Sequence, residues 1–330
     1  MTSLSKQNAQ SLKRGFAIVL LLFFMSYLPA QQTTQKFIQE TQYLFYLPEK
    51  YAIDTLQRWP VMIFLHGSGE RGTDIEKVKS HGPPKLAAAG KKYPFIVVSP
   101  QAPEGGGWDS ETLYRLLSSI KRNYRVDPDR VYLTGLSMGG FGTWALAMKH
   151  PEEFAAIVPI CGGGDTTEAW KLRHIPVWCF HGALDDAVPV AMDQKMVDAA
   201  GRYNSSVKFT VYPDANHNSW ERTYNNDSVY EWLLAQKKFR YKQVDVSAEQ
   251  LKKYTGKYVN PANDTVNIEL EGGVLTAKTS RQSFPLKSAG GDTFFIQEQL
   301  AVELIFGIIK NGKVDSFTLL EDNKTRFRKI

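Results

Sequence analysis

The sequence predicts a mostly parallel α/β sheet with helices on both faces, followed by a small antiparallel β domain. Three observations predict it. Between residues 60 and 212, short and wholly apolar runs alternate with stretches whose apolar residues recur at helical spacing. Strands apolar on both faces belong to a parallel sheet covered by helices, whereas an exposed antiparallel sheet would alternate apolar with polar. After about residue 245 the texture changes to short strands separated by glycine- and asparagine-containing turns, with no long helix.

The elements follow in order. Residues 36–46 read as an extended lead-in ending at Tyr46-Leu47-Pro48-Glu49. Val61–Leu65 is the first buried strand and runs into His66-Gly67; Phe95–Val98 is the second, closed by Ser99-Pro100. Residues 110–122 carry Leu113, Leu116, Leu117 and Ile120 at helical spacing, with Lys121 and Arg122 at the carboxyl end, where cations suit the helix dipole. Val131–Thr134 is a strand that passes through a glycine-rich turn into a helix ending near Met148. Ala156–Ile160, Val177–Phe180 and Val207–Tyr212 continue the sheet, with helical patterns near 190–202 and 226–237. Beyond a short helix at 248–254, strands are expected over Val266–Leu270, Val274–Ala277, Thr293–Ile296, Val302–Ile309 and Ser316–Leu320. The turns between them are Glu271-Gly272-Gly273, Gly290-Gly291-Asp292 and Asn311-Gly312. The organisation expected is therefore an N-terminal segment over 1–30, an α/β domain over 31–240, a linker over 241–247 and a small β-rich domain over 248–330.

The first thirty residues have their own logic. Lys6, Lys13 and Arg14 precede the apolar run Phe16–Met25, and a small-residue exit follows at Ala30. That order is the order of a secretory signal peptide, and the run is shorter than the roughly 20 residues a membrane span needs. A secreted or periplasmic location is expected, with no stable membrane span after cleavage. The net charge is +6, and those three residues supply half of it without an opposing acid. The remainder is too weakly basic to argue for nucleic acid, and no motif that reads DNA or RNA is present. The two cysteines, Cys161 and Cys179, lie in apolar strand-like runs and read as small buried hydrophobes. Neither cysteine nor histidine spacing suggests a metal site.

The chemistry is carried by Gly135-Leu136-Ser137-Met138-Gly139-Gly140, placed between a strand and a helix. A serine on such a turn is held in a strained conformation with its hydroxyl projecting, and the flanking glycines leave room for the tight backbone. The hydroxyl needs a base, and the base an orienting carboxylate, in the chain order Ser, Asp, His. Four of the six histidines follow Ser137. His150 sits at a helix end, His174 enters a strand at the wrong edge of the sheet, and His181 precedes any acid and reads as a packed, hydrogen-bonded ring. His217 follows the last strong strand and emerges on the same rim as Ser137, so it is the base. The acid is sought after Val177–Phe180, where Asp185 and Asp186 are neighbours and only one can point inward. Asp185 is chosen, and Asp186 reads as a partner of the following helix N-terminus. Oxyanion donors are expected from the amides of Met138 and of the loop His66–Gly72, with Ser68 favoured over a plain glycine-rich loop. Trp108, after Gly105-Gly106-Gly107, is a candidate wall of the substrate cleft, with core packing as the alternative.

Taken together, His66–Gly72, His81-Gly82-Pro83-Pro84-Lys85, Pro100-Gln101, Gly135–Gly140, Asp185–Pro189 and His217-Asn218-Ser219-Trp220 resemble secreted esterases of the α/β-hydrolase superfamily. The group is the phospholipase/carboxylesterase one, often labelled "predicted peptidase", and it is akin to the feruloyl and acetylxylan esterases. The resemblance covers about residues 36–240. It implies that the acid lies four residues before the proline of the D-x-x-V-P element, here Asp185, and that the residue after His66-Gly67, here Ser68, supplies an oxyanion amide. It also implies serine hydrolysis of esters, a chemistry that needs no cofactor. The "peptidase" label fits poorly, because prolyl oligopeptidases carry a large propeller that this chain has no length for. Residues 248–330, with Leu251–Tyr258, resemble the small β domain appended to some serine beta-lactamase-like proteins, which assigns no residue a role. The segment between Ile160 and Val177 is too short for a helical cap, so an open cleft is expected, and it favours short acyl or aryl esters, some carbohydrate-attached. A serine peptidase or amidase on the same residues, and a non-catalytic glycan-binding protein, are the alternative functions.

Overall fold

The computed structural model describes residues 41–297, 299–308 and 313–330. The expected signal peptide, the start of the lead-in and the Asn311-Gly312 turn lie outside the described residues. No helix among the described residues is long and apolar enough to cross a membrane.

The first sheet has seven strands in the order β1-β3-β2-β4-β5-β6-β7. They are β1 (Tyr43–Tyr46), β2 (Trp59–Leu65), β3 (Ile96–Pro100), β4 (Val126–Leu136), β5 (Ala156–Ile160), β6 (Val177–Gly182) and β7 (Val207–Tyr212). β1 pairs antiparallel with β3; every other pairing is parallel. Alternation along β2 explains why its residues are apolar throughout. Val61, Ile63 and Leu65 enter one core with Leu113, Leu117 and Trp144, whereas Met62 and Phe64 enter a second core with Tyr224, Val229 and Leu233. The first core is closed by α2 (Ser110–Asn123), α3 (Met138–Lys149) and α4 (Ala191–Gly201). The second is closed by α5 (Trp220–Tyr224) and α6 (Asp227–Leu234), with α1 (Gly82–Ala88) packed beside them. The start of α2 is fixed by Asp109, whose carboxylate accepts from the Thr112 amide at 2.8 Å.

The second sheet is a closed, wholly antiparallel eight-stranded barrel. Its strands are β8 (Gly256–Val259), β9 (Thr265–Glu271), β10 (Val274–Lys278), β11 (Ser283–Gly290), β12 (Thr293–Ile296), β13 (Gln299–Ile308), β14 (Val314–Leu320) and β15 (Lys324–Lys329). A short helix, α7 (Ala248–Leu251), precedes them behind a Ser247–Gln250 capping box. Closure runs through β15 and β8, where Arg328 pairs with Val259 and Lys329 with Tyr258. The interior is filled by buried side chains including Tyr258, Leu275, Phe294, Phe306, Phe317 and Phe327, as expected of a barrel of this size.

The barrel docks on groups that precede β6 and β7. Arg173 donates to the carbonyls of Ala301 (2.6 Å) and Glu321 (2.9 Å), and Tyr203 donates to the Asp322 carbonyl at 2.7 Å. His174 meets the Tyr241 hydroxyl at 2.9 Å, and that hydroxyl donates to Glu303. Residues before a parallel strand lie at the amino edge of the sheet, so the barrel sits opposite the edge from which Ser137 emerges. Within the expected linker, the Val244 amide donates to the Ser288 carbonyl of the barrel at 2.9 Å.

Candidate active site

Three loops leave the carboxyl ends of β4, β6 and β7, and one side chain from each meets at a single point. Ligand sites of open α/β sheets form at this edge because the strand-to-helix loops diverge there. His217 Nε2 lies 2.9 Å from Ser137 Oγ, and His217 Nδ1 lies 2.8 Å from Asp185 Oδ2. Asp185 Oδ1 accepts the amides of Ala187 (3.0 Å) and Val188 (2.8 Å), which fixes the carboxylate. The Asp185 side chain is fully buried and that of His217 is 24% exposed, so the carboxylate is closed to solvent and the ring is reachable. With Asp185 ionised, the ring donates from Nδ1, leaving Nε2 to accept the Ser137 hydroxyl proton.

Ser137 has φ +52° and ψ −118°, a left-handed backbone that a non-glycine residue enters only under strain. Its amide is held from below by the Ile160 carbonyl (3.0 Å) and by Cys161 Sγ (3.3 Å). The motif glycines are dictated by close approach: a Cβ on Gly139 would stand 1.9 Å from the Leu65 carbonyl oxygen, and one on Gly135 would stand 2.3 Å from the Gly139 oxygen. Helix α3 therefore starts directly on the end of β2, which aims the serine across the rim.

Met138 is the first residue of α3, and Ser68 is the first residue of a 3-10 turn over Ser68–Glu70. First-turn amides have no intrahelical acceptor, so both N–H groups are available where the β2 loop faces the serine elbow. Gly67 is the link between them, since a Cβ there would sit 3.7 Å from Ser137 Cβ. The loop is braced from one side. The Ala102 amide donates to His66 Nε2 at 3.0 Å, Trp108 Nε1 donates to the His66 carbonyl at 3.1 Å, and Arg71 donates to the carbonyls of Ser68 (2.8 Å) and Gly106 (3.1 Å). Trp108 thus packs on His66, ring centroids 4.7 Å apart, and holds the loop, while the residue stays partly exposed. His66 is fully buried and its pKa is lowered to about 4, first by burial, so the ring stays neutral and keeps Nε2 as an acceptor.

The remaining expected residues fall elsewhere. His150 stacks on Tyr114 at the end of α3, and His174 is at the barrel interface. His181 is a buried, hydrogen-bonded ring. Asp186 does not cap a helix: α4 begins only at Ala191, with Val190 as its N-cap and no side-chain cap. Both cysteines are free and buried. Among the described residues, Cys161, Asp185 and His217 bring ligand atoms within 4.8 Å of one another. Burial pushes the Cys161 thiol far up, however, so it is a neutral thiol and a poor metal ligand. Sequence reasoning missed the bond from Arg71 to Gly106 and the buried carboxylate of Asp193, because those partners are more than ten residues away in the chain.

A family model described as "Putative esterase" matches residues 34–173, and the dienelactone hydrolase family model matches residues 110–242. The two overlap across the Ser137 elbow and together span the whole first sheet. Residues 34–242 are thus similar to the esterase-like α/β-hydrolases. Among solved structures, a thermostable esterase aligns with a TM-score of 0.52 at 30% identity, covering 60% of this α/β-hydrolase chain and 59% of that one. A bifunctional acetylxylan esterase/xylanase of Neocallimastix patriciarum is 26% identical over 181 residues, or 52% of this chain. A poly(3-hydroxyalkanoate) depolymerase of Paucimonas lemoignei is 31% identical over 121 residues, or 32% of this chain. This chain spans only 26% and 28% of the lengths of those two proteins. Residues 241–330 match a family model described only as a domain of unknown function.

Proposed function

We propose that this α/β-hydrolase is a serine carboxylic-ester hydrolase, with residues 31–240 as its catalytic domain and 248–330 as an accessory domain. The observation that carries the reading is the continuous contact from Ser137 Oγ through His217 to Asp185, at 2.9 and 2.8 Å. In the proposed reaction Ser137 Oγ attacks the ester carbonyl as His217 Nε2 takes its proton. The amides of Met138 and Ser68 bind the oxyanion, worth about 3–4 kcal/mol per donor in such sites. His217 then protonates the departing alcohol, and later removes a proton from water as it attacks the acyl group on Ser137. Asp185 holds the ring in the Nδ1–H form and balances its charge while it is protonated.

Short acyl or aryl esters, including acyl groups on polysaccharide, are the proposed substrates. Supporting this are the acetylxylan esterase relatives and the β5–β6 connection, which contains only a 3-10 helix over Thr166–Leu172 and no cap. The sequence supports export, on the basic residues and apolar run ahead of Ala30; an N-terminus read from culture supernatant or periplasm tests it. A fluorophosphonate probe should label the wild type and fail on Ser137→Ala. Acetyl-xylan, feruloyl and p-nitrophenyl esters, with a matched anilide, then rank the substrates. Faster cleavage of the anilide than of the ester would replace this reading with that of an amidase.

A further inference from the structure

Behind the acid lies a second buried pair that the reaction above does not use. His181, on β6, is fully buried. Its Nδ1 is 2.8 Å from Asp193 Oδ2, and its Nε2 is 2.8 Å from the Val188 carbonyl and 3.2 Å from Asp185 Oδ2. Every atom facing the ring is an acceptor. The Val188 carbonyl can only accept, so Nε2 must carry a proton. Asp193, itself fully buried on α4, already accepts Trp144 Nε1 and the Gly162 amide, both at 2.8 Å. Both carboxylate oxygens of Asp193 are already engaged as acceptors and Oδ2 faces Nδ1, so Nδ1 is placed to donate as well.

We propose that His181 is a positioning residue held as a buried imidazolium between Asp193 and Asp185, where it fixes the acid of the triad and tempers the pull of that acid on the His217 proton. The proposal rests on His217 being the base. The reasoning is electrostatic. Asp185 Oδ2 is shared between His217 Nδ1 and the His181 cation, and a positive charge this near opposes a second one on His217. Asp193 supplies the counter-charge that lets the cation persist without water. Burial by itself lowers the His181 pKa, but the hydrogen bonds to Asp193 and Val188 and the charges of Asp193 and Asp185 outweigh it and hold the group above its ordinary value. The other titratable groups around the cluster are the thiols of Cys161 on the β5 exit and Cys179 on β6. Burial raises both, so neither adds a charge near neutral pH.

Two readouts test this. The first is nitrogen NMR on the full chain labelled with 15N-histidine, the His181 signals being assigned from their loss in His181→Gln. Both ring nitrogens of His181 should still be protonated at neutral pH, above the ordinary imidazole range. A neutral single-tautomer pattern in the wild type overturns the proposal. The second is the pH dependence of kcat/KM on p-nitrophenyl acetate, whose acid limb reports the base of the free enzyme. His181→Gln should move that limb upward by roughly one pH unit and lower kcat about 10- to 100-fold, with KM changed far less. Asp193→Asn keeps the ring while removing its counter-charge; it should abolish the doubly protonated signature and shift the limb in the same direction. A folded His181→Gln enzyme with reduced kcat but an unmoved limb means a merely structural residue and defeats the proposal. Should His181→Gln not fold, the wild-type signals, assigned from Asp193→Asn, decide alone. The NMR readout needs no turnover, so a failed fluorophosphonate label would remove the base assignment while the protonation of His181 is still measured.

Discussion

Replacing Gly139 by alanine is the sharpest test of how the serine elbow is built. A Cβ at this position would lie 1.9 Å from the Leu65 carbonyl oxygen and 2.8 Å from that of His66. Both atoms belong to backbone, so no side-chain rotation can relieve the clash, and the first turn of α3 must move off the end of β2 by more than an ångström. Leu65 is paired with Gly135 in the parallel ladder between β2 and β4, so the movement also strains the sheet beneath the serine. Overpacking of this kind costs roughly 3 kcal/mol, which corresponds to a fall in Tm of about 6–12 °C for a domain of this size. Displacing the Met138 amide should lower kcat at least about 100-fold, the cost of losing one oxyanion donor. Gly201→Ala is the control: it ends α4, a Cβ there meets nothing within 4 Å, and its stability should be unchanged or higher by up to about 1 kcal/mol. Thermal unfolding by circular dichroism and p-nitrophenyl acetate turnover measure both effects. A Gly139→Ala protein with wild-type Tm and kcat would refute the reasoning.

Three further outcomes are expected. Asp185→Asn should reduce kcat by about four orders of magnitude through loss of the correct His217 tautomer, whereas exposed Asp186→Asn should stay within about twofold; equal losses would mean the acid is misassigned. His66 is buried neutral with a pKa of about 4 against 6.5 unfolded, so the unfolded chain binds the extra proton first. Its stabilisation is complete at pH 7 and declines as pH falls from 6.5 towards 4, by up to about 3 kcal/mol; urea midpoints at pH 7 and pH 5 should diverge in the wild type and less so in His66→Gln. Arg173→Ala removes the donor to the Ala301 and Glu321 carbonyls at 2.6 and 2.9 Å, so the unfolding free energy from urea titration should fall by about 1–3 kcal/mol while kcat stays within about twofold. A large loss of kcat would contradict docking at the edge opposite Ser137.

The parallel sheet was legible because its strands are buried on both faces. The all-apolar Val61–Leu65 run feeds two cores at once, and no other element type needs that pattern in so short a segment. The barrel was legible only in part. β8, β11 and β15 were not expected, and each has one or two wholly buried positions amid polar ones; in β15 only Phe327 is buried. Such strands are defined by their neighbours, which a local pattern does not contain. Helix α1 was hidden by Pro83 and Pro84, which suit a first helical turn but resemble a loop in isolation. Chain order and strand exits brought Ser137, Asp185 and His217 to one rim. The bonds of Arg71 to Gly106 and of Asp193 to Trp144 and Gly162 could not be read the same way, because each depends on which group distant in the chain faces the side chain.

The most direct test of the central claim is rapid mixing of the enzyme with excess p-nitrophenyl acetate, followed by acid quench and peptide mapping by mass spectrometry. The account predicts a burst of about one p-nitrophenol per chain and a single acetyl group on the peptide containing Ser137. An acetyl group found on another side chain, or an undiminished burst in Ser137→Ala, would contradict it.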